Sequence, residues 1–117
     1  MEANPEYYKT RSAEKIVKFN LSIPKLKRLW IKQKGRCAHT GIDLILPINT
    51  NDYDPSTPLH KRASIDRIDS NGDYCIENVQ FVSYMSNLAK NRHQDQDVLA
   101  FYNEIKNLTL KEHLFDV

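Results

Sequence analysis

Two short segments of alternating character, "ASIDRI" at 63–68 and "NVQFVS" at 78–83, flank a turn signal and run straight into a helical segment. No other feature of the chain restricts its fold as much. The Asn71-Gly72 pair in "DSNGDY" is suited to reversing the chain. Val79 and Phe81 alternate with their neighbours as an inward-facing strand does. Ser83 can cap a helix running to about Asn91, with Met85, Leu88 and Ala89 on or near one face. Strand, turn, strand, helix predicts an α+β domain in which a helix lies across a hairpin.

The flanking segments fit round that unit. In "SIPKLKRLWIKQKG", Ser22 suits an N-cap, Pro24 the first turn and Gly35 the exit. Ile23, Leu26, Leu29 and Trp30 make one apolar stripe of helical period. "GRCAHTGIDLIL" predicts a turn leading into a short strand around Ile42–Leu46. "PINTNDYDPSTPLHKR", with three prolines, predicts a long loop. Asp95 or Asp97 can open a last helix over about 95–108, where Val98, Phe101, Tyr102 and Ile105 recur at helical spacing. Residues 1–20 predict a basic N-terminal arm or short helix, and residues 21–117 one domain.

Charge is divided along the chain. Residues 1–36 hold ten Lys and Arg against three Glu, while the remainder holds seven against twelve Asp and Glu. A basic first third suits a polyanion, or simply a solvated helix face. Lys25, Lys27, Arg28, Lys32, Lys34 and Arg36 would form its core, with Lys9, Arg11, Lys15 and Lys18 before them. No apolar run approaches the roughly 20 residues that span a bilayer, and the N-terminus lacks an apolar signal core. Cys37 and Cys75 are too few for a disulfide framework and read as small buried side chains.

Asp66 on the first strand and Asn87 on the helix each offer a hard oxygen. A helix across the hairpin could bring them to one cation, as Mg²⁺ is held in phosphate chemistry. Taken singly, each reads as a turn acid and a helix-surface amide. A calcium loop does not fit: with Gly72 at its sixth position, Arg67 and Asn78 fall where acids are needed.

With these residues in place, "SIDRID…GDYCIENVQFVSYMSNLAKN" resembles the phage-type HNH endonucleases, whose shared element is a ββα-metal hairpin and helix. The upstream "LKRLWIKQKGRCAHTGIDL" is similar to the helix and knuckle that precede many such cores, so the resemblance covers roughly residues 22–92. It implies a ββα core over about 63–92 with flanking helices, and Asp66 and Asn87 as ligands of Mg²⁺ or Mn²⁺. Asn78 would be the central asparagine of the catalytic motif, holding loop and strands in shape. Lys90 and Arg92 would contact nucleic acid. It further implies a DNA substrate, no membrane, and the cytoplasm of a bacterial or phage-infected cell; monomer and homodimer both stay open.

Two positions depart from the family pattern. Relatives often bind zinc through two Cys-x-x-Cys pairs, but here the positions hold Cys37, Thr40, Ser83 and Ser86, so no structural zinc is expected. The second is Arg67, where the family usually has a histidine that takes a proton from water. Arginine stays protonated and cannot do so, although it can neutralise a phosphate or stabilise developing charge. His39 and His60, before the hairpin, are the replacements to consider as base, followed by His93. Asp69 reads as a turn acid. The alternative function is an HNH scaffold weakened in catalysis that binds DNA or a protein without cutting.

Overall fold

The computed structural model describes residues 6–9, 16–46 and 56–109. Their architecture is α+β, with two small sheets and three helices. The elements are β1 (Glu6–Lys9), β2 (Ile16–Asn20), α1 (Ile23–Lys32), β3 (Ala63–Arg67), β4 (Tyr74–Cys75), β5 (Val79–Ser83), α2 (Tyr84–Lys90) and α3 (Asp95–Thr109).

The hairpin is β3 against β5, antiparallel, with Asp66 opposite Gln80 and Ile65 opposite Phe81. Period two divides its side chains. Ile65 and Phe81 face the main core, where Cys37, Leu44, Phe81 and Val82 are buried beside Leu26, Leu29 and Trp30 of α1. Trp30 meets Phe81 edge-on at 5.1 Å. Ser64 and Asp66 face the other way, toward α2. Ser83 starts α2 by accepting the Ser86 N–H, and Asn91, at φ 52°, stops it.

The outer edge of β5 is closed by a side chain. The Gln33 amide, just past α1, accepts the Phe81 N–H and donates to the Phe81 carbonyl, both at 2.9 Å. Ala38 N–H adds a second bond to the same carbonyl. This edge pairing carries the 36–40 knuckle along the hairpin, which places His39 beside Asp66.

Two expected elements differ. Where an arm or short helix is expected over residues 1–20, 6–9 and 16–20 form a strand pair, β1 with β2, and β2 runs parallel to β4 with Phe19 opposite Tyr74, while residues 1–5 lie outside the described residues. Ile16, Val17 and Phe19 suit a strand once a partner is present, and that partner lies far away in sequence. Residues 10–15 lie outside the described residues. The short strand expected at Ile42–Leu46 is only two isolated bridges, Asp43 to Arg36 and Ile45 to Arg62. The Leu44 N–H goes to Gly35 and the Ile45 N–H to Lys61, so no single neighbour supplies a ladder. Of the expected long loop, 47–55 lie outside the described residues.

The β3–β4 loop is organised by Asn78. Its Oδ1 accepts the Asp69 N–H at 2.9 Å, and its Nδ2 donates to the carbonyls of Asp69 and Asp73 at 3.1 and 2.9 Å. Gly72 is needed beneath it, because a Cβ there would stand 2.6 Å from Asn78 Nδ2. Gly72→Ala is therefore expected to destabilise the protein by about 1–3 kcal/mol, the usual cost of forced overpacking. In an Asn78→Ala background the added cost should largely vanish, since the obstructing amide is gone. Urea denaturation of the two single variants and the double variant measures both effects.

Candidate metal centre

Beneath α2, the polar face of the hairpin holds a cluster drawn from five segments: β3, β5, α2, α3 and the 36–40 knuckle. Asp66, 5% exposed, accepts hydrogen bonds through Oδ2 from Lys90 Nζ at 2.8 Å and Gln80 Nε2 at 3.0 Å. Asp95 opens α3 and turns back into the cluster. Its Oδ1 meets His39 Nε2 at 2.5 Å, Gln80 Nε2 at 2.7 Å and Lys90 Nζ at 3.3 Å. His39 Nε2 stands 3.8 Å from Asp66 Oδ2, and the imidazole is fully buried.

Proton accounting fixes most of the roles. A carboxylate only accepts, so the short contact to Asp95 places the His39 proton on Nε2. Gln80 spends its two amide protons on the two carboxylates, so its 3.2 Å approach to His39 Nε2 is not a hydrogen bond. On the other side, His39 Nδ1 meets Ser86 Oγ at 2.6 Å, and Ser86 Oγ meets the Tyr102 hydroxyl at 2.9 Å. This hydroxyl pair can either donate to a bare Nδ1 or accept from a protonated one.

Burial pushes the Asp95 carboxyl up, but the hydrogen bond and charge of His39 and the ammonium of Lys90 outweigh it, and the group is held below its ordinary value. Lys90, with no exposed surface, is the cation of the cluster. Besides the two carboxylates, its ammonium donates to the carbonyls of Arg67 at 2.5 Å and Ile68 at 3.2 Å.

His39, Asp66 and Asp95 could hold a metal ion, for each offers a donor atom and the three lie within 4.8 Å of one another. Two carboxylate oxygens and one imidazole nitrogen suit a divalent cation of the hard or borderline kind. With Nε2 given to a metal, the Nδ1 proton would be held by Ser86 Oγ, the support that metal-bound imidazoles usually have. The donor set fits such an ion on one condition: the Lys90 ammonium, which lies against the same two carboxylates, must give them up.

Several expected site residues are placed differently. Asn87 does not join Asp66. Its Nδ2 donates to Ser64 Oγ at 2.7 Å and to the Ile65 carbonyl at 3.3 Å, tying α2 to β3 one step earlier on the same strand face. Arg67 does not meet the cluster through its side chain, because strand alternation turns it to the opposite face. There its guanidinium donates to the Gly72 carbonyl at 2.9 Å and stacks over Tyr74 at 4.7 Å. Lys90, expected to touch nucleic acid, is internal, since its side chain follows the α2 face that covers Asp66. His60 is exposed in the turns before β3, and His93 is exposed after α2, where its carbonyl accepts from Ser70 Oγ.

Other positions keep simple roles. Asp69 caps its turn, with Oδ1 accepting the Asn71 N–H at 2.9 Å. Cys37 Sγ accepts the Ser83 N–H at 3.3 Å, and Thr40 Oγ1 the Ile42 N–H at 3.3 Å. Lys27, Arg28, Lys32, Lys34, Arg36 and Arg92 are exposed, whereas Lys25 is half-buried. Arg36 pairs loosely with Asp43 at 3.4 Å on the surface, a contact worth little.

Sequence reasoning missed Asp95, Gln80 and Tyr102 as members of the cluster. An acid at a helix start reads as a cap, a strand glutamine as a solvent-facing residue, and a tyrosine on an apolar stripe as core. The strand register sets Gln80 opposite Asp66, and only the packing of α3 on α2 brings Asp95 and Tyr102 to them. Compared with models of known protein families, with curated proteins and with solved structures, the chain matches none. No helix of the described residues is long and apolar enough to cross a membrane.

Two predictions follow from the ion pair and from Asp95. Asp66→Leu strands the buried ammonium and Lys90→Met strands the buried carboxylates, so each is expected to cost about 3–5 kcal/mol. The Asp66→Leu/Lys90→Met double variant should lose clearly less than the sum, as read from urea midpoints at neutral pH. For Asp95, a carboxyl held low in the folded state stabilises the protein above its ordinary pKa. That contribution disappears as pH falls from about 4 through the folded value. Thermal melts over that acid range should fall more steeply for the wild type than for Asp95→Asn.

Proposed function

We propose that this chain is a divalent-cation-dependent endonuclease of the HNH type, which hydrolyses or nicks phosphodiester bonds in DNA. One observation carries the reading: a hairpin crossed by a helix buries Asp66 beneath that helix, and His39 and Asp95 converge on it to make a set able to hold a metal ion. Mg²⁺ or Mn²⁺ is the proposed cation, and when bound it would supply positive charge to a scissile phosphate.

The protein's own groups have separable tasks. Asp66 and Asp95 provide the anionic oxygens, and Gln80 spaces them by donating one amide proton to each. His39, held by Ser86 and Tyr102, is read as the third metal donor and not as the base, and of His39 and His60 it alone reaches the carboxylates. Asp95, at 21% side-chain exposure, is the open side of the cluster. Lys27, Arg28, Lys32 and Lys34 on and after α1 provide sequence-independent attraction to the phosphate backbone. Arg67 is reassigned from phosphate contact to support of the hairpin loop.

A second reading has specific support. Both carboxylates are already paired with Lys90, Asp66 is only 5% exposed, and Arg67 faces away from the cluster. These features favour a scaffold that binds DNA, or a protein, and does not cut it.

Supercoiled plasmid incubated with the purified protein separates the two. The enzyme reading expects nicking in Mg²⁺ or Mn²⁺ that EDTA abolishes. Asp66→Asn and Asp95→Asn should each reduce it by at least about 100-fold, the scale of losing a charge-stabilising group. Salt-sensitive DNA binding without nicking under any of these conditions would leave the binding module as the function.

A further inference from the structure

The ammonium of Lys90 is more thoroughly held than an ordinary ion pair requires. Its three protons face four acceptors: two carboxylates from different segments, and the carbonyls that follow Asp66 on the chain. The carboxylates of Asp66 and Asp95 that bind this ammonium are also the ones offered to a metal ion. A doubly charged ion and an ammonium on the same two carboxylates, with little water between them, repel each other strongly. They cannot both be seated.

We infer that Lys90 and a divalent cation are alternative occupants of one site, so that loading the cation expels the lysine from the interior. The inference rests on the metal reading proposed above and deepens it. With no cation present, the ammonium offsets the charge of the carboxylates, above all that of buried Asp66, which would otherwise oppose folding. With the cation present, that task passes to it, and Lys90 is freed. The exit is short: Lys90 ends α2, and Ala89, Asn91 and Arg92 around it are exposed. Four methylenes let the ammonium swing out without moving the helix. Expelled, it joins exposed Arg92 just past the end of α2, where its charge can meet a phosphodiester bound at the cation. Cation loading would thus be coupled to the appearance of a phosphate contact that is hidden in the empty protein.

Two measurements, neither of them of activity, test the exchange. Amine acetylation of the wild-type protein, read by peptide mass spectrometry, reports on Lys90 with exposed Lys27 as internal reference. In EDTA, Lys90 should be labelled slowly; in saturating Mn²⁺ its labelling should rise toward that of Lys27. Calorimetric titration with Mn²⁺ should show Lys90→Met binding at least about tenfold more tightly than the wild type, the gain expected when a competitor that fills the site nine-tenths of the time is removed.

Unchanged Lys90 labelling with Mn²⁺ demonstrably bound overturns the exchange and leaves the nuclease reading intact, as does equal affinity of wild type and Lys90→Met. Binding by Lys90→Met alone supports the exchange, since the lysine then wins outright in the wild type, and it removes the metal-dependent reading of the natural protein. Absence of Mn²⁺ binding in both overturns the two together. Should Lys90→Met not fold, the labelling experiment on the wild type decides.

Discussion

A buried lysine between two aspartates organises the centre of this protein. Lys90 belongs to α2, Asp66 to β3 and Asp95 to α3, so one ammonium ties the hairpin to α2 and to α3. The cost of taking such charges out of water is several kcal/mol for each ion, and only a closely fitted set of partners offsets it. The partners are present: Gln80 bridges the carboxylates, strand carbonyls take the remaining ammonium protons, and His39 and the Ser86–Tyr102 hydroxyl pair complete the ring. The apolar core lies on the opposite face of the same hairpin. One two-stranded ribbon therefore separates a dry side from a charged one.

That division decides what Asp66 and its neighbour in sequence can do. Adjacent strand residues point to opposite faces, so the permanent cation at position 67 is not at the carboxylate of position 66. Arg67 supports the Asn78-organised loop and stacks on Tyr74, where its charge meets a ring face. The cation that does stand at Asp66 comes from 24 residues away. Adjacency in sequence misleads here, and helix-on-strand packing explains the result.

Much of the fold can be read from local rules. The hairpin, the Ser83 cap, the amphipathic α1 with Ser22 and Gly35 at its ends, and the last helix all follow from period, capping and turn chemistry that act within a few residues. What cannot be read depends on partners that lie far apart. The pairing of β2 with β4 joins residues more than fifty positions apart, and nothing near Ile16 announces it. The same holds for the site. Asp66 stands out because a motif surrounds it, whereas Asp95 carries an ordinary helix-opening pattern and enters the cluster only through the packing of α3 on α2. Lys90 was legible as a position that matters, but its direction was not. A lysine at a helix end is solvated by default, and the two unneutralised carboxylates that reverse that default come from other elements.

The Gln33 amide along β5 has a consequence for the life of the protein in a crowded solution. A two-stranded ribbon with an open side invites a strand from another molecule, because its N–H and C=O groups are ready to pair. Here the pairing groups of Phe81 are already occupied by Gln33 and Ala38. An intruding strand would first have to dislodge the segment that follows α1, and with it the Trp30 contact behind it. The knuckle that delivers His39 to the interior thus also guards the ribbon against growing into a larger, intermolecular sheet.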